Sequence, residues 1–182
     1  ETGRAFALPE ILPQVFSLFP MKNRRLWICL DAAQALFKLP ESHLRSCLHF
    51  ADYAAFSAHK IGGPMGIGAL WVRPESPFRK QQTGGVQERS RRAGTHNMVG
   101  ILGFLRAIED WRQNGETYRT HMMQLRQRLH HGMAQISGLK FHADGNPQQS
   151  QVLPNTINFH VEGCPEESLL LALDIDGFFL SS

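Results

Sequence analysis

The 182-residue sequence has no apolar run long enough to cross a bilayer, and Glu1-Thr2-Gly3-Arg4 at its start does not read as a secretory signal peptide. Cysteine is scarce: Cys29, Cys47 and Cys164 are scattered, without a Cys-x-x-Cys pair. That excludes a disulfide framework and any zinc-knuckle spacing, so no metal site is expected. Charge of one sign is also lacking. Nineteen Lys and Arg stand against sixteen Asp and Glu, a net +3 that is too weak to argue for nucleic acid. Hydrophobic residues make up 42%, enough for a core and too many for general disorder. The expectation is a soluble, globular, cytoplasmic chain of about one domain.

Both ends run straight into structure-forming segments. Phe6 to Phe19 is apolar and helix-compatible, with Pro9 and Pro13 inside it; Phe178 to Ser181 is a β-prone apolar run. No methionine stands at position 1, which fits either a processed or trimmed chain or a fragment cut inside a larger fold. Arg25–Leu30 predicts a fully buried strand of parallel type ending at Asp31. Glu41–Phe50 suits an amphipathic helix, Tyr53–Ser57 a second strand, and Gly66–Val72 a third after the glycine-rich turn. Strand, helix, strand is the pattern of a βαβ unit. Residues 74–97 hold a long polar loop of the kind that tends to be functional or disordered. Two helices follow, Met98–Arg112 and Glu116–Ile136, with Asn114-Gly115 as the stop between them. Leu139–His142, Thr156–Val161 and Phe178–Ser181 read as short strands, with a helix from Pro165 to Leu173. The organisation expected is an α/β domain over 1–137 and an incomplete α+β domain over 138–182.

The chemistry concentrates between Asp31 and Lys60. Both follow predicted parallel strands, and in open α/β sheets ligands sit beyond the carboxyl ends of the strands. A carboxylate and a lysine at such an edge are the pair that pyridoxal phosphate (PLP) requires: the amine for the cofactor aldehyde, the carboxylate for the protonated ring nitrogen. Gln34 is placed to donate to the phenolic oxygen. Ser57 and His59, with backbone N–H groups of the glycine-rich turn, offer hydroxyl and imidazole to a phosphate. Taken singly, each is more often a solvated charge or an ordinary hydrogen-bonded side chain. Their occurrence together, one βαβ unit apart, shifts the balance.

Three segments then resemble one family. Leu30-Asp31-Ala32-Ala33-Gln34, the run Ser57-Ala58-His59-Lys60-Ile61-Gly62-Gly63-Pro64 continuing to Leu70, and Gly84-Gly85-Val86-Gln87 continuing to Thr95 look like the central motifs of the cysteine desulfurases. These are PLP enzymes of the class V aminotransferase group with the fold-type I architecture. The resemblance implies a large-domain α/β fold with a mostly parallel sheet, and a PLP cofactor held by Asp31, Gln34, Ser57, His59, Lys60 and Thr95. Lys60 is then the Schiff-base lysine and moves the proton at the substrate α-carbon, while Thr95 reaches the cofactor phosphate of a partner subunit in a homodimer. Met65 stands where the family often has lysine, and Phe37 where it often has glycine.

The implied reaction takes sulfur from L-cysteine as a persulfide on an enzyme cysteine, releases alanine, and passes the sulfur to an acceptor such as an iron–sulfur scaffold protein. In the family that cysteine follows the position of Ser182, and Cys29, Cys47 and Cys164 read as structural or incidental. The 182 residues alone are therefore expected not to desulfurate cysteine. Competing readings are a selenocysteine lyase or other class V enzyme, and a non-catalytic dimerisation module. The Arg89–Arg92 cluster lacks the interleaved aromatics of a nucleic-acid site.

Overall fold

A computed structural model describes residues 3–18, 26–143 and 152–181. The predicted positions Glu1, Thr2, Phe19, Arg25 and Ser182 lie outside the described residues. The chain divides into two compact units, Phe6–Arg119 and Glu1–Ala5 with Thr120–Ser182. Among the described residues, no helix is long and apolar enough to cross a membrane.

In the unit Phe6–Arg119, helix α1 (Leu8–Leu18) packs on α2 (Glu41–Phe50), and β1 (Cys29–Asp31), β2 (Tyr53–Ser57) and β3 (Gly68–Val72) form one sheet in the order β1-β2-β3. Strands β1 and β2 are parallel, with Asp31 opposite Ala55, as the βαβ reading requires. The β2–β3 pair is antiparallel, because the short link between Ser57 and Gly68 has no room for a crossover. The core holds Ala32, Ala54, Ala58, Ile61, Phe104 and Trp111.

Two expectations are corrected along this part of the chain. The β1 strand is not fully buried: Cys29 and Asp31 are exposed, as are Ala55 and Leu70 beside them on the same sheet face. The reason is that this face of the sheet is uncovered, while Ala54 on the other face is fully buried. The two helices expected around Asn114-Gly115 are one, α4 (Met98–Met133). Asn114 donates back to Asp110 at 2.9 Å instead of capping a helix end. Gly115 is buried against Trp111, where a Cβ would stand 3.1 Å from the ring, so glycine serves close packing there rather than termination. The polar loop is a loop as expected, with some local structure of its own. Ala93 N–H donates to Gln82 C=O, His96 pairs with Glu88 at 3.0 Å, and α3 (Gln87–Ser90) is a short turn in which Glu88, Arg89 and Ser90 take positive φ.

In the other unit, β4 (Leu139–Phe141) and β5 (Phe159–Val161) form an antiparallel pair, Arg4 bridges Val152, and α5 spans Glu166–Ile175. Phe178–Ser181, expected as a strand, has no regular structure: an edge partner is missing among the described residues, and Phe178 N–H instead closes α5 by donating to Leu173 C=O.

Candidate active site

Strand β2 ends at Ser57 and the chain turns at once into a single 3₁₀ turn, Ala58–Ile61. In such a turn residues three apart lie on one side. Ala58 and Ile61 are buried, so His59 and Lys60 between them are exposed. Apolar anchoring at both ends thus presents two polar side chains. Ser57 Oγ and His59 Nδ1 are 2.8 Å apart, and Ala58 N–H is tied to Ile67 C=O across the sheet edge.

The second half of the edge comes from β1. Asp31 is exposed, and its Oδ1 accepts from Ala33 N–H at 3.0 Å, an Asx-type turn that starts the next segment. Ala32 is fully buried and its N–H pairs with Ala55 C=O, which registers the turn against β2. Residues 33–38 then make a compact turn, with Ala35 and Leu36 both donating to Ala32 C=O. Gln34, half-buried, accepts at Oε1 from Lys38 Nζ at 2.5 Å. Lys38 itself is 7% exposed. Burial, and then repulsion from the Lys60 ammonium, push its proton affinity below the ordinary lysine value.

Phe37 has φ +61, the left-handed region, which explains why glycine suits this position. A bulky residue there costs roughly 1–2 kcal/mol. Two contacts offset it: the Phe37 ring stacks on Trp111 with centroids 6.0 Å apart, and Arg119 donates to Phe37 C=O at 2.9 Å. Trp111 in turn donates its indole N–H to Ile61 C=O at 2.9 Å. One buried tryptophan therefore ties the Asp31–Lys38 segment to the Lys60 turn. Helix α4 reaches that turn closely through Gly103, where a Cβ would lie 2.4 Å from Pro64.

The sequence reasoning named Asp31, Gln34, Ser57, His59 and Lys60, and all five lie at the carboxyl edge of β1 and β2 or in the turns that leave it. Thr95 is exposed in the loop and makes no side-chain hydrogen bond among the described residues. Lys38 and Trp111 were missed. The i, i+4 spacing of Gln34 and Lys38 was the available signal for the first; the apolar stripe of α4 gives no hint that Trp111 bonds Ile61.

The match extends over most of the chain. The family profile Aminotransferase class-V covers residues 12–182. The chain belongs to the class-V aminotransferase family. A cysteine desulfurase of Trichormus azollae is 38% identical over 183 residues, covering 100% of this chain and 42% of that protein. The cysteine desulfurase IscS of Methanosarcina thermophila is 35% identical over 161 residues, 88% of this chain and 38% of that protein. A NifS-like protein of solved structure superposes with a TM-score of 0.78 at 30% identity, covering 100% of this chain and 47% of that one. The chain spans about two-fifths of the length of these curated relatives. The neighbours share the PLP fold-type I architecture.

Class-V aminotransferases are PLP-dependent, and the donor set at this edge fits that cofactor. Lys60 offers an exposed primary amine for an aldehyde, and a hydroxyl–imidazole pair lies beside backbone N–H groups for a phosphate; among the described residues Asp31 Oδ2 and Gln34 Nε2 have no hydrogen-bond partner.

Proposed function

We propose that the natural protein carrying this chain is a PLP-dependent cysteine desulfurase. The observation that carries the reading is the convergence of Asp31, Gln34, Ser57, His59 and Lys60 on one sheet edge, held by buried Ala32, Ala58 and Ile61. Lys60 is the catalytic residue: its amine holds the cofactor aldehyde and takes the proton from the α-carbon of L-cysteine. Asp31 accepts from the ring N–H, and Gln34 donates to the phenolic oxygen. Ser57 and His59 hold the phosphate, with Thr95 serving the cofactor of the partner subunit in a homodimer. When bound, PLP supplies the electron sink for charge developing at the α-carbon.

The products are L-alanine and sulfur carried as an enzyme persulfide, destined for an iron–sulfur scaffold or another acceptor protein in the cytoplasm. Cys47 is unsuited to carry that sulfur. It is buried, and burial pushes its thiol above the ordinary range, so little thiolate forms. The test is purified natural protein given PLP, L-cysteine and a thiol reductant. Alanine and sulfide should form in equal amounts, and Lys60→Ala should abolish both, together with the borohydride-sensitive visible band. Absence of alanine from the wild-type protein would overturn the reading, and alanine from selenocysteine alone would replace it with a lyase.

A further inference from the structure

We infer that Lys38 is a positioning residue that fixes the Gln34 amide with its oxygen inward, so that only N–H donors are open to a bound ligand. This rests on the reading of the edge as a PLP site. The two ends of a glutamine amide have nearly the same shape, and a flip exchanges donor for acceptor. An ammonium group can only donate. With Lys38 Nζ 2.5 Å from the side chain, the oxygen must face it, and Nε2 is left without a partner among the described residues. Lys38 is 7% exposed, so water cannot readily replace that contact. A flip would set an NH2 group against a buried cation and leave the ammonium without its acceptor, a costly arrangement.

The lysine is itself held from the backbone upward. Leu39 N–H donates to Ala35 C=O, Phe37 C=O is gripped by Arg119, and the Phe37 ring lies on Trp111. The turn thus has little freedom to withdraw the ammonium. Burial, and after it repulsion from Lys60, lowers the proton affinity of Lys38. A buried ammonium behind an amide locked as a donor favours an anionic oxygen over a neutral or hydrogen-donating one. On PLP, the group matching this chemistry at Gln34 is the phenolic oxygen. Gln34 touches it, and Lys38 acts through Gln34.

The experiment compares PLP with 3-deoxypyridoxal 5′-phosphate, which lacks that oxygen, by equilibrium titration of the cofactor-free natural protein. Lys38→Met should weaken PLP about tenfold and leave the deoxy analogue unchanged. Lys38→Arg, still a donor-only cation, should restore the preference for PLP. Should the methionine variant not fold, as judged by thermal unfolding, Lys38→Gln carries the same comparison, because an amide can donate or accept and enforces no orientation. Equal weakening of both ligands, or unchanged PLP affinity, would overturn the positioning role and leave the PLP site standing. Failure of the wild-type protein to bind either ligand would overturn the PLP site and this role with it.

Discussion

The two ends of the three-stranded sheet are built from similar residue types with opposite outcomes. At the amino end of β2, Asp52 is 3% exposed and fully engaged: it accepts from Ile28 N–H at 2.9 Å and Ser76 Oγ at 2.9 Å, with Arg73 Nε at 4.0 Å. Arg73 also donates to the carbonyls of Leu48, His49 and Ala51, closing the end of α2. At the carboxyl end, Asp31 is exposed with one oxygen used, and Lys60 is exposed with no side-chain hydrogen bond among the described residues. A buried carboxylate with all its partners inside the fold holds strands in place. An exposed one at a sheet edge keeps its capacity for something brought from outside. The contrast separates the aspartate that builds the fold from the one that serves it.

Exchanging the two aspartates breaks this comparison most directly. Asp52→Ala should cost about 3 kcal/mol in chemical denaturation, since Ile28 N–H and Ser76 Oγ lose a buried acceptor and Arg73 a countercharge. Asp31→Asn should change stability by less than about 0.5 kcal/mol and instead weaken PLP binding in a titration. Equal stability losses would remove the distinction. Next comes the link behind the open edge: Trp111→Phe keeps an aromatic ring but leaves Ile61 C=O without its donor, and should cost about 1–2 kcal/mol in the same measurement. Smaller still is Phe37→Gly. Relief of the left-handed backbone and loss of the stacked ring oppose each other, and the net change should stay within about 1 kcal/mol.

The smallest effect is in pH. Lys38 holds its proton less tightly in the fold than at its ordinary value of 10.5. Between the lowered value and the ordinary one the unfolded chain binds more protons, so stability rises with pH through that window. Thermal unfolding followed upward in pH toward the ordinary lysine value should show the rise, and Lys38→Met should flatten it. An unchanged slope would mean that the buried ammonium is not coupled to folding.

Much of this was legible one segment at a time. Alternation and turn residues located α2, β2, α5 and the βαβ unit, because those elements are set by local patterning and short links. The edge cluster was legible because a residue that follows a parallel strand falls at a known place in such sheets. Errors came where neighbours distant in the chain decide the outcome. Cys29 has the composition of a buried strand residue, yet its sheet face is open. Asn114-Gly115 has the form of a helix stop, yet Trp111 uses the missing side chain for packing. Phe178-Phe179 has strand propensity, but no pairing partner is present among the described residues.

From its own residues the chain dictates which groups meet at the edge of β1 and β2, since strand direction and the 3₁₀ turn follow from short-range hydrogen bonding and the spacing of Ala58 and Ile61. What it does not dictate is the state of those groups. Lys38 becomes a buried cation bonded to Gln34 only once the turn has closed against α4, and Phe37 tolerates its left-handed backbone only because Trp111 and Arg119 arrive from far along the chain. Burial, desolvation and a stacked ring are properties of the packed neighbourhood, and packing joins residues that no local pattern pairs.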